Sequence, residues 1–221
     1  MGSGLTCVGY GWSLLSLIGA ALAAAGYYLP IWLIGYLTDP AQPERSVQAR
    51  FGCFRRCVYP QFDQELKKLV LVDQCGRYRT FNDIPSVWWQ VSTVTIGVGT
   101  ILAILVAFIV VPACAIKDIV STTSARLLGI VQVLAAILIG GGCILYPLGW
   151  DNREAKEACS GRSGAYVLGT CTIGYAYYLV LGGAILLLIC ASLSTSAGHS
   201  VRWTKVPRSP PDDDQHIKAN V

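Results

Sequence analysis

The sequence predicts a membrane α-helical fold, a bundle of four transmembrane helices carrying a small extracellular β-sheet. Three observations predict it. The composition is 53% hydrophobic with a mean hydropathy of +0.51, outside the range of soluble domains. Only 14% of residues are charged, and their segregation leaves Met1–Thr38, Ile84–Ile116, Leu127–Trp150 and Ser163–Ser200 without Asp, Glu, Lys or Arg. Each stretch holds at least the ~20 mostly apolar residues that a helix needs to cross a hydrocarbon core. Finally, Cys53, Cys57, Cys75, Cys159 and Cys171 gather in or beside the two longer polar connections.

Residues 1–200 read as one tetraspan domain. The first helix, about residues 8–36, contains Leu14–Ala25, whose closing alanines imitate a secretory cleavage site. No Lys or Arg precedes that run, and apolar residues continue through Tyr28, Ile31, Trp32 and Leu33, so a retained helix is expected. The long connection, 39–85, reads as β-structure: Lys68–Val72 is aliphatic and Arg77–Phe81 alternates with period two. Cys75-Gly76 between them suits a turn or bulge, and Phe51–Tyr59 makes a further strand. Pro85 then opens the second helix, about 86–116. The third and fourth helices follow at about 126–147 and 170–197, separated by the loop 148–169. Residues 201–221, rich in Pro and Asp, read as a disordered cytosolic tail.

Four spans place the two longer loops on one side and both termini on the other. Disulfides persist outside the reducing cytosol, which makes the loops extracellular, the termini cytosolic and the protein a multi-pass component of the plasma membrane. The charge count opposes this, because only Lys117, Arg126, Arg202, Lys205, Arg208 and Lys218 of the 17 Lys and Arg fall inside. That bias governs short loops near helix ends, and the first loop is long, so the cysteines take precedence. A Cys57–Cys75 disulfide would join neighbouring strands and stabilise them by ~3 kcal/mol. Cys159 and Cys171 would tie the second loop to the fourth helix. Metal binding is the alternative, but His199 and His216 both lie toward the tail. Cys53 is left free, lipidated or paired with another chain.

Several functions are disfavoured. The net charge of +4 is too dispersed for nucleic acid. Charge-free helices argue against a pump, coupled transporter or voltage sensor, and Gln90 or Gln132 suits an interhelical hydrogen bond better than a permeation path. No HExxH, GxSxG or GxGxxG occurs, so no enzyme, catalytic residue, metal or cofactor is expected.

Partner contacts have three candidate sources. Gly19, Ala23 and Gly26 form a small-residue face on the first helix with Ala20 and Ala24 beside them, suited either to packing within the bundle or to another protein's transmembrane helix. Gly140-Gly141-Gly142 suits internal packing. Arg55, Arg56, Arg77 and Arg79 make the first loop locally basic, either as a salt-bridged face or for an acidic partner. Trp32, Trp88, Trp89 and Trp150 near outer helix ends suit an interfacial aromatic belt. At the termini, Met1–Thr6 fits N-myristoylation and Ala219-Asn220-Val221 could offer a carboxylate to a scaffold.

Several strings together resemble the lipoma HMGIC fusion partner-like tetraspan family, particularly the subgroup of its founding member, in a resemblance that covers about residues 5 to 195. They are Leu29-Pro-Ile-Trp-Leu33, Phe54-Arg-Arg-Cys-Val-Tyr-Pro60, Gln74-Cys-Gly-Arg-Tyr-Arg-Thr-Phe81, Ile84-Pro-Ser86, Tyr146-Pro-Leu-Gly-Trp150 and Leu168-Gly-Thr-Cys-Thr-Ile-Gly-Tyr-Ala-Tyr-Tyr178. The resemblance implies a claudin-like bundle with an extracellular sheet, framed by Trp32, Cys57, Cys75, Arg77, Tyr78, Trp150, Cys159 and Cys171. It also implies an auxiliary subunit of a channel or receptor, with self-association at junctions as the alternative. The stretch 39–50, Cys53, Tyr175 and the Asp-rich tail depart from the subgroup.

Overall fold

The computed structural model describes residues 7–39, 42–63, 67–113 and 122–203. The order is α1 (Cys7–Tyr28), β1 (Leu33–Asp39), β2 (Gln42–Phe51), β3 (Arg55–Asp63), β4 (Lys68–Arg77), α2 (Val87–Ala113), α3 (Thr122–Leu145), α4 (Arg153–Ala158), β5 (Thr172–Ile173) and α5 (Tyr175–Trp203). Four of these helices are long and apolar enough to span a bilayer. With the disulfide-bonded antiparallel sheet at one end, the chain has a claudin-like tetraspan fold.

The first helix is shorter than the expected 8–36. Pro30 disfavours helical backbone at Leu29 and offers no N–H of its own, so α1 ends at Tyr28. Leu33–Asp39 then becomes a strand with Leu33, Gly35 and Leu37 inward and Tyr36 outward, the period of two that a half-buried strand requires. Its partner β2 is drawn from the stretch 39–50, which supplies a central strand of the sheet.

The five strands run in the order β4-β3-β2-β1-β5, all antiparallel. β1 and β2 pair from Leu33↔Phe51 to Thr38↔Ser46, and β3 and β4 from Arg55↔Arg77 to Asp63↔Lys68. β2 and β3 meet only at Arg50↔Cys57 and Phe51↔Arg56, so the two hairpins share a base and diverge beyond it. The expected strand Phe51–Tyr59 is therefore interrupted between β2 and β3. Cys75-Gly76 lies inside continuous β4, paired regularly with Cys57 and Arg56, and the register shift falls just beyond it, between Cys57 and Tyr59, where Val58 has φ 60°. Arg77–Phe81 is not a strand of its own, since β4 ends at Arg77 and Phe81 opens a 3-10 turn.

α1 packs along α5, α5 along α3 and α3 along α2, while α2 meets α1 less extensively. The α1–α5 approach depends on Gly183, where a Cβ would lie 2.9 Å from the Ala23 nitrogen and the Gly19 carbonyl oxygen. Of the three consecutive glycines on α3, Gly142 is pressed against Ile96, whereas Gly140 and Gly141 face open space. The loop expected at 148–169 carries the 3-10 segment Tyr146–Asp151 and α4, and the last long helix starts at Tyr175 because 172–173 pairs with β1. α5 continues to Trp203, past the expected tail boundary at 201. The proposed myristoylation and scaffold sequences, His216 and the remainder of the tail lie outside the described residues.

Candidate interaction surfaces

The sheet is fixed to the bundle by aromatic packing. Trp32, completely buried, donates its indole N–H to the Gly26 carbonyl at 2.7 Å and packs 4.9 Å from Tyr146 and 5.4 Å from Tyr177. Trp89 is equally buried against Tyr146 and Phe51. Trp150 is 4% exposed, and its carbonyl accepts from the Ser163 hydroxyl at 2.9 Å. The expected aromatic belt therefore fails at Trp32, Trp89 and Trp150, because sheet and second loop cover the bundle end that these residues occupy. Trp88 does face outward, as do Tyr28, Tyr166, Tyr175 and Tyr178.

Two disulfides brace this end. Cys57 and Cys75 are paired across β3 and β4 at directly opposed positions, 18 residues apart. Cys159–Cys171 connects the end of α4 to the segment before β5. It lies against β1 at Gly35, where a Cβ would come within 2.7 Å of Cys171 Sγ and the Ala158 carbonyl oxygen. Cys53 is free and completely buried; burial pushes its thiol pKa well up, and the site leaves no room for a lipid or another chain.

The four arginines separate into two pairs. Arg56 forms an ion pair with Glu154 of α4 and lies 4.4 Å from the Tyr59 ring centroid and 4.8 Å from that of Tyr78. The Tyr78 hydroxyl donates to Glu154 Oε2 at 2.9 Å, closing a latch from sheet to second loop. Burial, reinforced by the Glu154 charge, holds the Tyr78 phenol pKa far above its ordinary value. Arg55 lies over the Tyr28 ring at 4.4 Å. Arg56 is thus committed within the molecule and Arg55 is half-buried, whereas Arg77 and Arg79 are exposed, with no acidic partner among the described residues. Glu154 gave no sequence signal, because nothing in the second loop marks which acid faces the sheet.

The small-residue face of α1 also divides. Gly19, Ala23 and Gly26 are buried against α5, which makes this side internal packing, not a docking surface. Ala20 and Ala24 lie around the helix from it and, with Leu17 and Ala21, form one wall of an apolar groove of about 400 Å³. Ile104, Ala107, Phe108 and Val111 of α2 form the other wall. Sequence reasoning missed that wall, since α2 is apolar around its whole circumference and shows no stripe.

Deeper in the bundle, Gln132 is completely buried, accepting from Trp12 Nε1 at 3.1 Å and donating to Ser16 Oγ at 2.8 Å. It is an interhelical hydrogen-bond partner. Among the described residues no three His, Cys, Asp or Glu side chains gather as a metal site would require.

A family model described as "Lipoma HMGIC fusion partner-like protein" matches residues 8–196. The chain belongs to this family. Among its relatives are human LHFPL tetraspan subfamily member 2 protein, 30% identical over 91% of this chain and 92% of the relative. Member 5 of Gallus gallus is 29% identical over 85% of this chain and 78% of the relative, and member 3 of Mus musculus is 27% identical over 87% and 80%. The family is one of tetraspan membrane proteins and not an enzyme family, and the four apolar helices make this chain a multi-pass membrane protein.

Proposed function

We propose that this LHFPL family protein is a non-catalytic auxiliary subunit that assists the assembly, trafficking or gating of a channel or receptor in the plasma membrane. The groove between α1 and α2 carries the proposal. It opens on the lipid-facing surface, its small residues let a neighbouring helix approach closely, and it contains no charge that such a helix would have to neutralise. The disulfide-bonded sheet lies outside the cell in this reading, with both termini in the cytosol, and Arg77 and Arg79 are open to an acidic surface of the same partner.

The test is copurification from native cells in mild detergent, comparing wild type with an Ala21→Phe/Ala24→Phe variant that fills the groove and spares the α5 contact. Channel or receptor subunits that accompany the wild type and are lost from the variant at equal surface abundance support the role. Equal recovery removes the groove from the proposal.

A second reading, self-association at cell junctions, is favoured by a different feature. β4 is a ten-residue strand on the outer edge of the sheet, and a long open edge is a template for pairing with another copy. Clusters at contacts between cells expressing only this protein would support it, and dispersed surface protein would count against it.

A further inference from the structure

At the end of the bundle opposite the sheet, α3 and α5 enclose a second groove of about 500 Å³, and its chemistry differs from that of the α1–α2 groove. Arg126 stands at its mouth, in the second turn of α3, the only charged residue between 123 and 150. It is exposed and has no acidic partner among the described residues. Ser192 and Thr195 of α5 lie beside it. Their hydroxyls donate to the Ile189 and Ser192 carbonyls at 2.7 and 2.8 Å, which leaves the hydroxyl oxygens as acceptors. One to two turns deeper the lining becomes apolar, with Ile130 and Val133 facing Leu188. The floor is closed at Gly129, where a Cβ would collide with Ser194 Oγ.

From mouth to floor the groove thus presents a cation, hydroxyl acceptors and an apolar channel, the order of groups along a phospholipid. Arg126 meets no acidic side chain among the described residues, and an arginine so placed at the edge of the hydrocarbon extends its head toward the interface, where lipid phosphates lie. A neutral chain or sterol would leave the guanidinium unpaired, and a partner's apolar helix would cover it at a desolvation cost. We propose that this groove holds one anionic phospholipid, with its phosphate on Arg126, headgroup donors on Ser192 and Thr195, and an acyl chain along Ile130, Val133 and Leu188. The orientation proposed above places it in the inner leaflet, where anionic lipids concentrate.

The test uses full-length protein in detergent, incubated with equal amounts of phosphatidylserine and phosphatidylcholine and examined by native mass spectrometry. The wild type is expected to retain one phosphatidylserine in preference to phosphatidylcholine. Arg126→Gln should lose about fivefold in that preference, the effect of one basic residue at an anionic surface. Arg126→Lys should keep most of it, which separates lost charge from lost folding. Ile130→Trp should release the lipid with the charge intact, and glycerophosphoserine without acyl chains should not compete. Undiminished preference in Arg126→Gln, equal retention of phosphatidylcholine by the wild type, or competition by the free headgroup would each overturn the site. Binding in detergent depends on neither membrane orientation nor partner, so failure here leaves the auxiliary role standing, and failure of that role leaves the lipid site standing.

Discussion

Trp89 stacks on Tyr146 with ring planes 6° apart and centroids 5.1 Å apart, and its indole N–H donates to the Tyr146 carbonyl at 3.2 Å. This contact joins the first turn of α2 to the end of α3 beneath the sheet, and it also closes around Gly149, where a Cβ would collide with the indole. The junction between sheet and bundle is therefore a packed aromatic core.

Replacing Trp89 by Ala removes a completely buried indole and should cost about 3–5 kcal/mol, the range for large aromatic truncations in cores. Thermal unfolding in detergent should show a large fall in the midpoint, with Trp89→Phe losing less. An unchanged midpoint for the Ala variant would mean that the sheet does not depend on this junction.

The Arg56–Glu154–Tyr78 latch is partly solvated, with side chains of Arg56 and Glu154 23% and 25% exposed, so its value lies below that of a buried pair. Glu154→Ala leaves a half-buried guanidinium and a phenol without their acceptor and should cost about 1–2 kcal/mol. Limited proteolysis of the loop around α4 should accelerate. A double-mutant cycle with Arg56→Met should give a coupling energy clearly different from zero, and additivity would show that the two residues act separately.

Tyr78 gives the latch an alkaline limit. Its folded-state pKa lies above the unfolded value of about 10, so the fold favours the neutral phenol. The stabilisation is present in full below about pH 10 and is lost as pH rises through the folded value. Unfolding midpoints should decline more steeply in that alkaline window for wild type than for Tyr78→Phe, the two sharing the same cysteines. Identical slopes would exclude Tyr78 as a source of the decline.

Gln132 links α3 to α1 where no water competes. Gln132→Leu orphans Trp12 Nε1–H and should cost about 1–2 kcal/mol, measured by unfolding in lipid discs. Because Ser16 also donates to the Trp12 carbonyl at 2.7 Å, it retains one bond, and Ser16→Ala alone should cost less.

The amino-acid sequence by itself determined the four spans, the sheet at one end and the cysteines available to brace it. Charge-free runs of more than ~20 residues have one stable solution in a bilayer, and oxidised thiols require a particular compartment. The expected first helix ran through Pro30, because the apolar run Ile31–Leu37 suits helix and buried strand equally, and only pairing with β2 makes it β1. Tertiary structure alone decided which tryptophans face lipid, which arginine meets Glu154 and which side of the α1 glycine–alanine face remains open. Sequence spacing shows which residues share a face, but what covers that face depends on residues distant in the chain: Gly183 against Ala23, Glu154 against Arg56, and Tyr146 against Trp89.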